Sequence, residues 1–285
     1  MEILKNNGHD RSFGASVSRA TGQEPNLKTT AAEYHRYNRN GIERISTGAI
    51  ELDNLLRGGI ETKAVTQFYG DFGSGKTQMC HSLATIVSQD KSRGGVDGKC
   101  IYIDTEGSFR SERVSEIAKA RGFDSDLTLK NIMIYQLLNS QEQELVVENL
   151  ILKDLGQSTD KRIKLIVVDS PIAHYKTEYT GLSERSPKLQ KLYRFMSNLR
   201  TIGRSYGAAI VVTNHASTVP DSNLVIDIDI KRLAGGNAIG YASTYVLYLK
   251  SSLYRVRAVL VKCPFEPSRS EMFTINEAVI ASFTD

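Results

Sequence analysis

Eight residues, GDFGSGKT from Gly70 to Thr77, constrain this chain more than any other stretch. They fit G-x-x-x-x-G-K-[ST], in the context that makes that pattern meaningful. AVTQFYG (64–70) before them reads as a strand, and residues 76–89 after them read as a helix. Gly70, Asp71, Phe72, Gly73, Ser74 and Gly75 form a turn whose backbone N–H groups point inward as an anion nest. The helix N-terminus adds partial positive charge there. Both effects favour phosphate oxygens. Lys76 has the reach to meet β- and γ-phosphates, the Thr77 hydroxyl suits Mg²⁺, and Gln78 follows in the first helical turn. A chance glycine-rich turn is the alternative, and the flanking strand and helix argue against it.

The rest of the chain repeats the alternation. KCIYIDT (99–105), IKLIVVDS (163–170) and AAIVVTN (208–214) read as strands. LIVVD and AIVVTN are almost continuously apolar, as expected of parallel strands covered on both faces. Helical spacing links Val114, Ile117, Ala118 and Arg121, and again Leu189, Leu192, Met196, Leu199 and Tyr206. Strands alternating with helices imply an α/β fold with a mostly parallel central sheet. The tail differs: STYVLYLK and VRAVLVK read as antiparallel strands around a short connection, and EMFTI as a third. Residues 1–40 are polar and read as a flexible arm and oligomerisation segment, with a short helix around Thr30–Arg39. Residues 41–285 are the core.

Composition narrows the setting. With 285 residues, 40% hydrophobic and 24% charged, one large core can form. No apolar run approaches the roughly 18 residues of a membrane span, and the polar N-terminus lacks a signal-peptide pattern. Cys80, Cys100 and Cys263 show neither metal spacing nor a disulfide framework. These features point to the cytoplasm (nucleoid-associated) or the nucleus, without secretion and without a membrane partner. A net charge of +4 permits a polyanionic partner without requiring one.

Two carboxylates complete the reading. Asp169 ends LIVVD, where it would join Thr77 as a metal ligand through a Mg²⁺-bound water; a turn cap is the alternative. Glu106 follows the strand that ends in Asp104. A carboxylate there faces the ligand crevice of an α/β sheet and would polarise a water. A solvated loop glutamate is the competing reading. The cofactors implied are ATP and Mg²⁺.

GDFGSGKTQMCH, YIDTEGSFRSERV, LIVVDS and IVVTN, with ISTGAIELDNLLRGGIET (45–62), resemble the RadA-type recombinases, the archaeal and eukaryotic branch of the RecA superfamily. The similarity runs from about Thr29 to Phe273. Hexameric replicative helicases share the loop and the acidic strand but not DTEGSFRSER. The resemblance implies a RecA-like P-loop ATPase core that binds single- and double-stranded DNA, assembles as a filament and acts in homologous recombination. It makes Glu106, with Lys76, catalytic, and Arg113 an adenine-stacking residue.

Four departures from the family bear on function. His215 stands where the family has a phosphate-sensing Gln; its neutral imidazole donates one hydrogen bond as an amide does. Lys262 replaces the Asp of a D-x-P segment that presses on a neighbour's ATP, with Pro264 retained. In the first DNA loop (176–190), Leu182 replaces an arginine and Lys188 a second one, while Lys176 and Arg185 remain near by. The second loop (216–237) carries Lys231, Arg232 and the pair Gly235–Gly236, but also Asp221, Asp227 and Asp229. In the arm, Ala31 matches the family's F-x-x-A alanine, whereas Lys28 holds the phenylalanine position beside Leu27; Phe13 lies at the wrong spacing to replace it. Residues 1–40 cannot hold both the arm and the family's helix-hairpin-helix domain. Two versions therefore stay open: a strand-exchange recombinase, or a paralogue that assists or regulates a full-length recombinase with little catalysis of its own.

Overall fold

The computed structural model describes residues 30–33, 35, 41–150, 163–181, 183, 185–220, 231–233, 238–252, 255–276 and 279–282. An antiparallel ribbon of β1 (Arg44–Ile45) and β2 (Ile60–Glu61) brackets α1 (Ile50–Leu55). The chain then enters a ten-stranded sheet. Its parallel half is β3 (Val65–Gly70), β4 (Lys99–Asp104), β5 (Ile132–Gln136), β6 (Ile163–Asp169) and β7 (Ala209–Pro220). The antiparallel end is β9 (Tyr245–Ser252), β10 (Arg255–Lys262), β11 (Arg269–Asn276) and β12 (Val279–Ser282). The spatial order is β12-β11-β10-β9-β3-β7-β6-β4-β5, and β8 (Lys231–Leu233) pairs with β7.

The alternation along β6 explains this arrangement. Leu165 and Val167 enter one buried cluster, Ile166 and Val168 the other. Each face therefore needs a cover. On the first, α2 (Lys76–Ile86) lays down Met79, Leu83 and Ile86. On the second, α7 (Arg185–Tyr206) contributes Leu192, Phe195, Met196, Leu199 and Ile202. The smaller helices α3 (Ser111–Ala120), α4 (Ser125–Lys130), α5 (Ser140–Leu145), α6 (Ala173–Glu178) and α8 (Ala238–Ala242) complete the two layers. Parallel pairing sets Gly70 beside His215 and Asp104 beside Asp169, all at one edge of the sheet. That edge is where open α/β sheets hold ligands.

Several expectations shift. The first helix stops at Ile86 rather than 89. The strand expected over 208–214 runs on to Pro220, so the two ends of segment 216–237 form a ribbon with Ala216 opposite Leu233 and Pro220 opposite Lys231. Its proline sits at the end of the ladder, where a missing N–H costs least. The tail has four antiparallel strands, not three; β12 is the addition. Segment 176–190, expected as a loop, is helical at both ends, since α6 covers Lys176 and α7 begins at Arg185. In the arm, Ala31, Ala32, Glu33 and His35 are helical. A capping box starts this turn: Thr30 N donates to Glu33 Oε2 at 2.9 Å and Glu33 N to Thr30 Oγ1 at 3.2 Å. Phe13, Leu27, Lys28, Leu182, Asp221, Asp227, Asp229, Gly235 and Gly236 lie outside the described residues, as do the side chains of Arg185, Lys231 and Arg232.

Candidate active site

The loop between β3 and α2 is built by close approach. A Cβ on Gly70 would sit 2.2 Å from the Leu249 carbonyl oxygen, so only glycine lets β3 end there against β9. Gly75 takes φ +94° immediately before α2, the left-handed region that disfavours a side chain. Lys76 is buried, and its Nζ donates to Asp71 O at 2.8 Å, Gly70 O at 3.1 Å and Ser74 Oγ at 3.3 Å. Desolvation lowers its pKa, opposed by the charges of Asp169, Glu106 and Asp71.

The Thr77 hydroxyl donates to Asp169 Oδ2 at 2.8 Å. Tyr102 OH and Ser108 Oγ reach the same oxygen, each at 3.2 Å, and Thr213 Oγ1 donates to Oδ1. Burial raises the Asp169 pKa, and the hydroxyls of Thr213 and Thr77 pull it back. Among the described residues no cluster of three or more His, Cys, Asp or Glu could hold a metal by itself. One hydroxyl and one carboxylate nevertheless fit Mg²⁺, which binds hard oxygens, keeps waters and takes the rest of its shell from substrate phosphates.

Glu106 is held by its surroundings. Asp104 Oδ1 accepts from the backbone N–H of Glu106 at 3.2 Å and of Ser108 at 3.0 Å, and Oδ2 accepts from Phe109 N at 3.0 Å. This buried carboxylate fastens the whole turn. Glu106 Oε1 then accepts from Ser170 Oγ at 2.7 Å and from His215 Nε2 at 3.1 Å. The bond from His215 is the largest influence on its pKa, which is lowered despite burial. Phe72, Lys76, Thr77, Glu106, Asp169 and His215 all border one cavity of about 440 Å³.

The Rad51 family model matches residues 38–283. The chain belongs to the Rad51 family. Rad51-family proteins are recombination and DNA-repair ATPases with a RecA-like core, and the mostly parallel sheet of this chain has that form. Among the described residues, no helix is long and apolar enough to cross a membrane.

Of the expected nucleotide residues in this Rad51-family chain, Phe72, Gly73, Gly75, Lys76, Thr77 and Gln78 line the cavity, while Gly70, Asp71 and Ser74 lie behind it as acceptors of the Lys76 ammonium. Arg113 does not line the cavity. Its Nε donates to Gln78 Oε1 at 3.0 Å and an Nη to the Asn276 carbonyl at 3.0 Å, tying α2 to the end of β11. Lys262 and Pro264 also lie away from the cavity. Lys262 Nζ donates to the carbonyls of Ser243 at 2.7 Å, Gly240 at 3.0 Å and Tyr241 at 3.5 Å, capping the C-terminal end of α8. Sequence reasoning missed Asp104, Ser108, Ser170 and Thr213. Only Asp104 left a signal, because an acidic residue opening a Thr-Glu-Gly-Ser turn suits side-chain capping of backbone N–H groups.

Proposed function

We propose that this chain binds ATP with Mg²⁺ at the β3–α2 loop, hydrolyses it with Glu106 as base, and couples turnover to DNA during homologous recombination and repair. One observation carries this reading. Lys76, Thr77, Asp169 and Glu106, drawn from the loop–helix junction and from the ends of β4 and β6, border the same cavity at the C-terminal ends of the parallel strands. When bound, Mg²⁺ supplies positive charge against the phosphates, and Thr77 and Asp169 are the residues to hold it. Lys76 and the loop amides orient the triphosphate, Arg113 is assigned to stack on adenine from the family resemblance although it lies outside the cavity lining, and Glu106 draws the proton from water.

DNA contact is assigned to Lys176, Arg185 and Lys188 on one side and to the ribbon carrying Lys231 and Arg232, closed by Gly235 and Gly236, on the other. Lys176 is exposed at the end of α6, and α7 contains no acidic residue along RSPKLQKLYRFMSNLRTIGRSY. Such a surface favours phosphate. The working state is a filament of this chain or its docking on a full-length recombinase, through the segment 1–40, and the setting is the chromosome. An ATPase assay with and without single- and double-stranded DNA tests the reading. Stimulated turnover is expected. No hydrolysis under either condition, with ATP binding and tight association with a recombinase retained, would instead identify a nucleotide-holding adaptor.

Lys262 adds a prediction about ions. A tethered ammonium stands where the family places a carboxylate, so no monovalent cation is needed to bridge that position to a phosphate. Steady-state ATPase rates in sodium and in potassium buffers are expected to agree within about twofold. A strong potassium requirement would rule out this role for Lys262.

A further inference from the structure

With Glu106 read as the base, on which this inference rests, the orientation of its carboxylate decides which oxygen takes the proton. That carboxylate is not free to rotate, and the residue that stops it is Ser170. Ser170 is 1% exposed and its backbone is locked to the tip of β4. Thr105 Oγ1 donates to Ser170 O at 2.7 Å and accepts from Ser170 N at 2.9 Å. Thr105 N also donates to Asp169 O at 3.1 Å. One threonine hydroxyl thus joins the ends of β4 and β6, and the serine hydroxyl emerges from that joint at a set position. It donates to Glu106 Oε1, which also accepts from His215 on β7. Oε2 accepts no hydrogen bond among the described residues. The carboxyl torsion of glutamate is intrinsically broad and twofold, so two donors on one oxygen select one of two equivalent orientations.

We propose that Ser170 is a positioning residue for ATP hydrolysis, fixing Glu106 so that Oε2 is the oxygen that takes the proton from the attacking water. In that step the water oxygen bonds to the γ-phosphorus. The bridging oxygen leaves on ADP with its electron pair, and the water proton passes to Oε2. Ser170 touches neither water nor nucleotide; it acts through Glu106. The two donors differ in kind. The Ser170 hydroxyl is buried and anchored, whereas the His215 ring is 36% exposed and can exchange its partner. The charges facing Glu106 are Lys76 from α2, Asp169 from β6 and His215 from β7.

The test compares Ser170→Ala and Ser170→Cys in the full chain, with Glu106→Gln as reference. Steady-state kcat and KM for ATP are read with single-stranded DNA across a pH series, with ATP binding by calorimetry alongside. Ser170→Ala is expected to lower kcat about tenfold, to leave KM within about twofold, and to move the acid limb of the rate profile upward in pH. The cysteine thiol, close in size and a weak donor, is expected to fall between the two. It also serves as the working variant if the alanine chain does not fold. If Ser170→Ala and Ser170→Cys both keep the normal kcat and limb while Glu106→Gln is inactive, Ser170 is only structural and the proposal is wrong. If Glu106→Gln itself turns over normally, Glu106 is not the base, and the reading beneath the proposal falls with it.

Discussion

Replacing Lys76 with alanine is expected to weaken ATP binding by about 10²–10⁴-fold while leaving the melting temperature almost unchanged. The affinity estimate follows from two charge-assisted bonds to phosphate, each worth about 1.5–3 kcal/mol. The unchanged stability follows from what the ammonium does in the fold. Among the described residues it donates to acceptors of its own loop, Gly70 O, Asp71 O and Ser74 Oγ. Desolvation lowers its pKa, so the folded state disfavours the charged form relative to the unfolded chain. At neutral pH the charged group is therefore a cost to folding, and its removal loses no net electrostatic stabilisation. Calorimetric titration with Mg²⁺–ATP, paired with thermal melts, separates the two effects. Unaltered ATP affinity in Lys76→Ala would mean that the loop is not the phosphate site. A collapse in melting temperature would mean that the lysine is a structural group.

The contrast between Lys76 and Ser170 shows what could be read from the sequence. The loop was legible because its function demands unusual residues at fixed spacing, with glycines where a Cβ would strike Leu249 or adopt φ +94°. The strand IKLIVVD was legible because both of its faces are covered, which forces a continuous apolar run. Ser170, Thr105, Ser108 and Thr213 were not legible. Hydroxyl residues have no periodicity to betray them, and their roles exist only once β4, β6 and β7 end side by side. The same limit hid β12. VIAS is four residues long and becomes a strand by pairing with β11. It also hid the contact of Lys262 with α8, since a lysine that caps carbonyls on another element reads in sequence as an exposed charge. The extension of β7 past His215 depends on the partner strand β8, which no local pattern in HASTVP announces.

The second large effect concerns Glu106, where Glu106→Gln is expected to cut kcat by about 10²–10⁴-fold and to keep ATP affinity within a few-fold. The amide oxygen can still accept from Ser170 and His215, so the substituted side chain keeps the native position. What it loses is the ability to take a proton. The pH dependence distinguishes this from a general loss of structure. The bonds from His215 and Ser170 hold the Glu106 carboxyl below its ordinary pKa, so the ionised base persists to lower pH than in a free glutamate. Wild-type turnover should therefore fall only as pH drops through that lowered value, and the glutamine variant should lack this limb. Stability follows the same sign: the contribution of a carboxylate with a depressed pKa is present above the unfolded value and lost as pH falls through the folded one. Because the side chain is 29% exposed, that contribution is small, and the rate profile is the sharper readout. Single-turnover hydrolysis across a pH series, with binding measured in parallel, makes the comparison. A glutamine variant that retains wild-type kcat and the same acid limb would remove Glu106 from the chemistry. One that loses ATP binding altogether would show that the carboxylate organises the pocket instead of activating water.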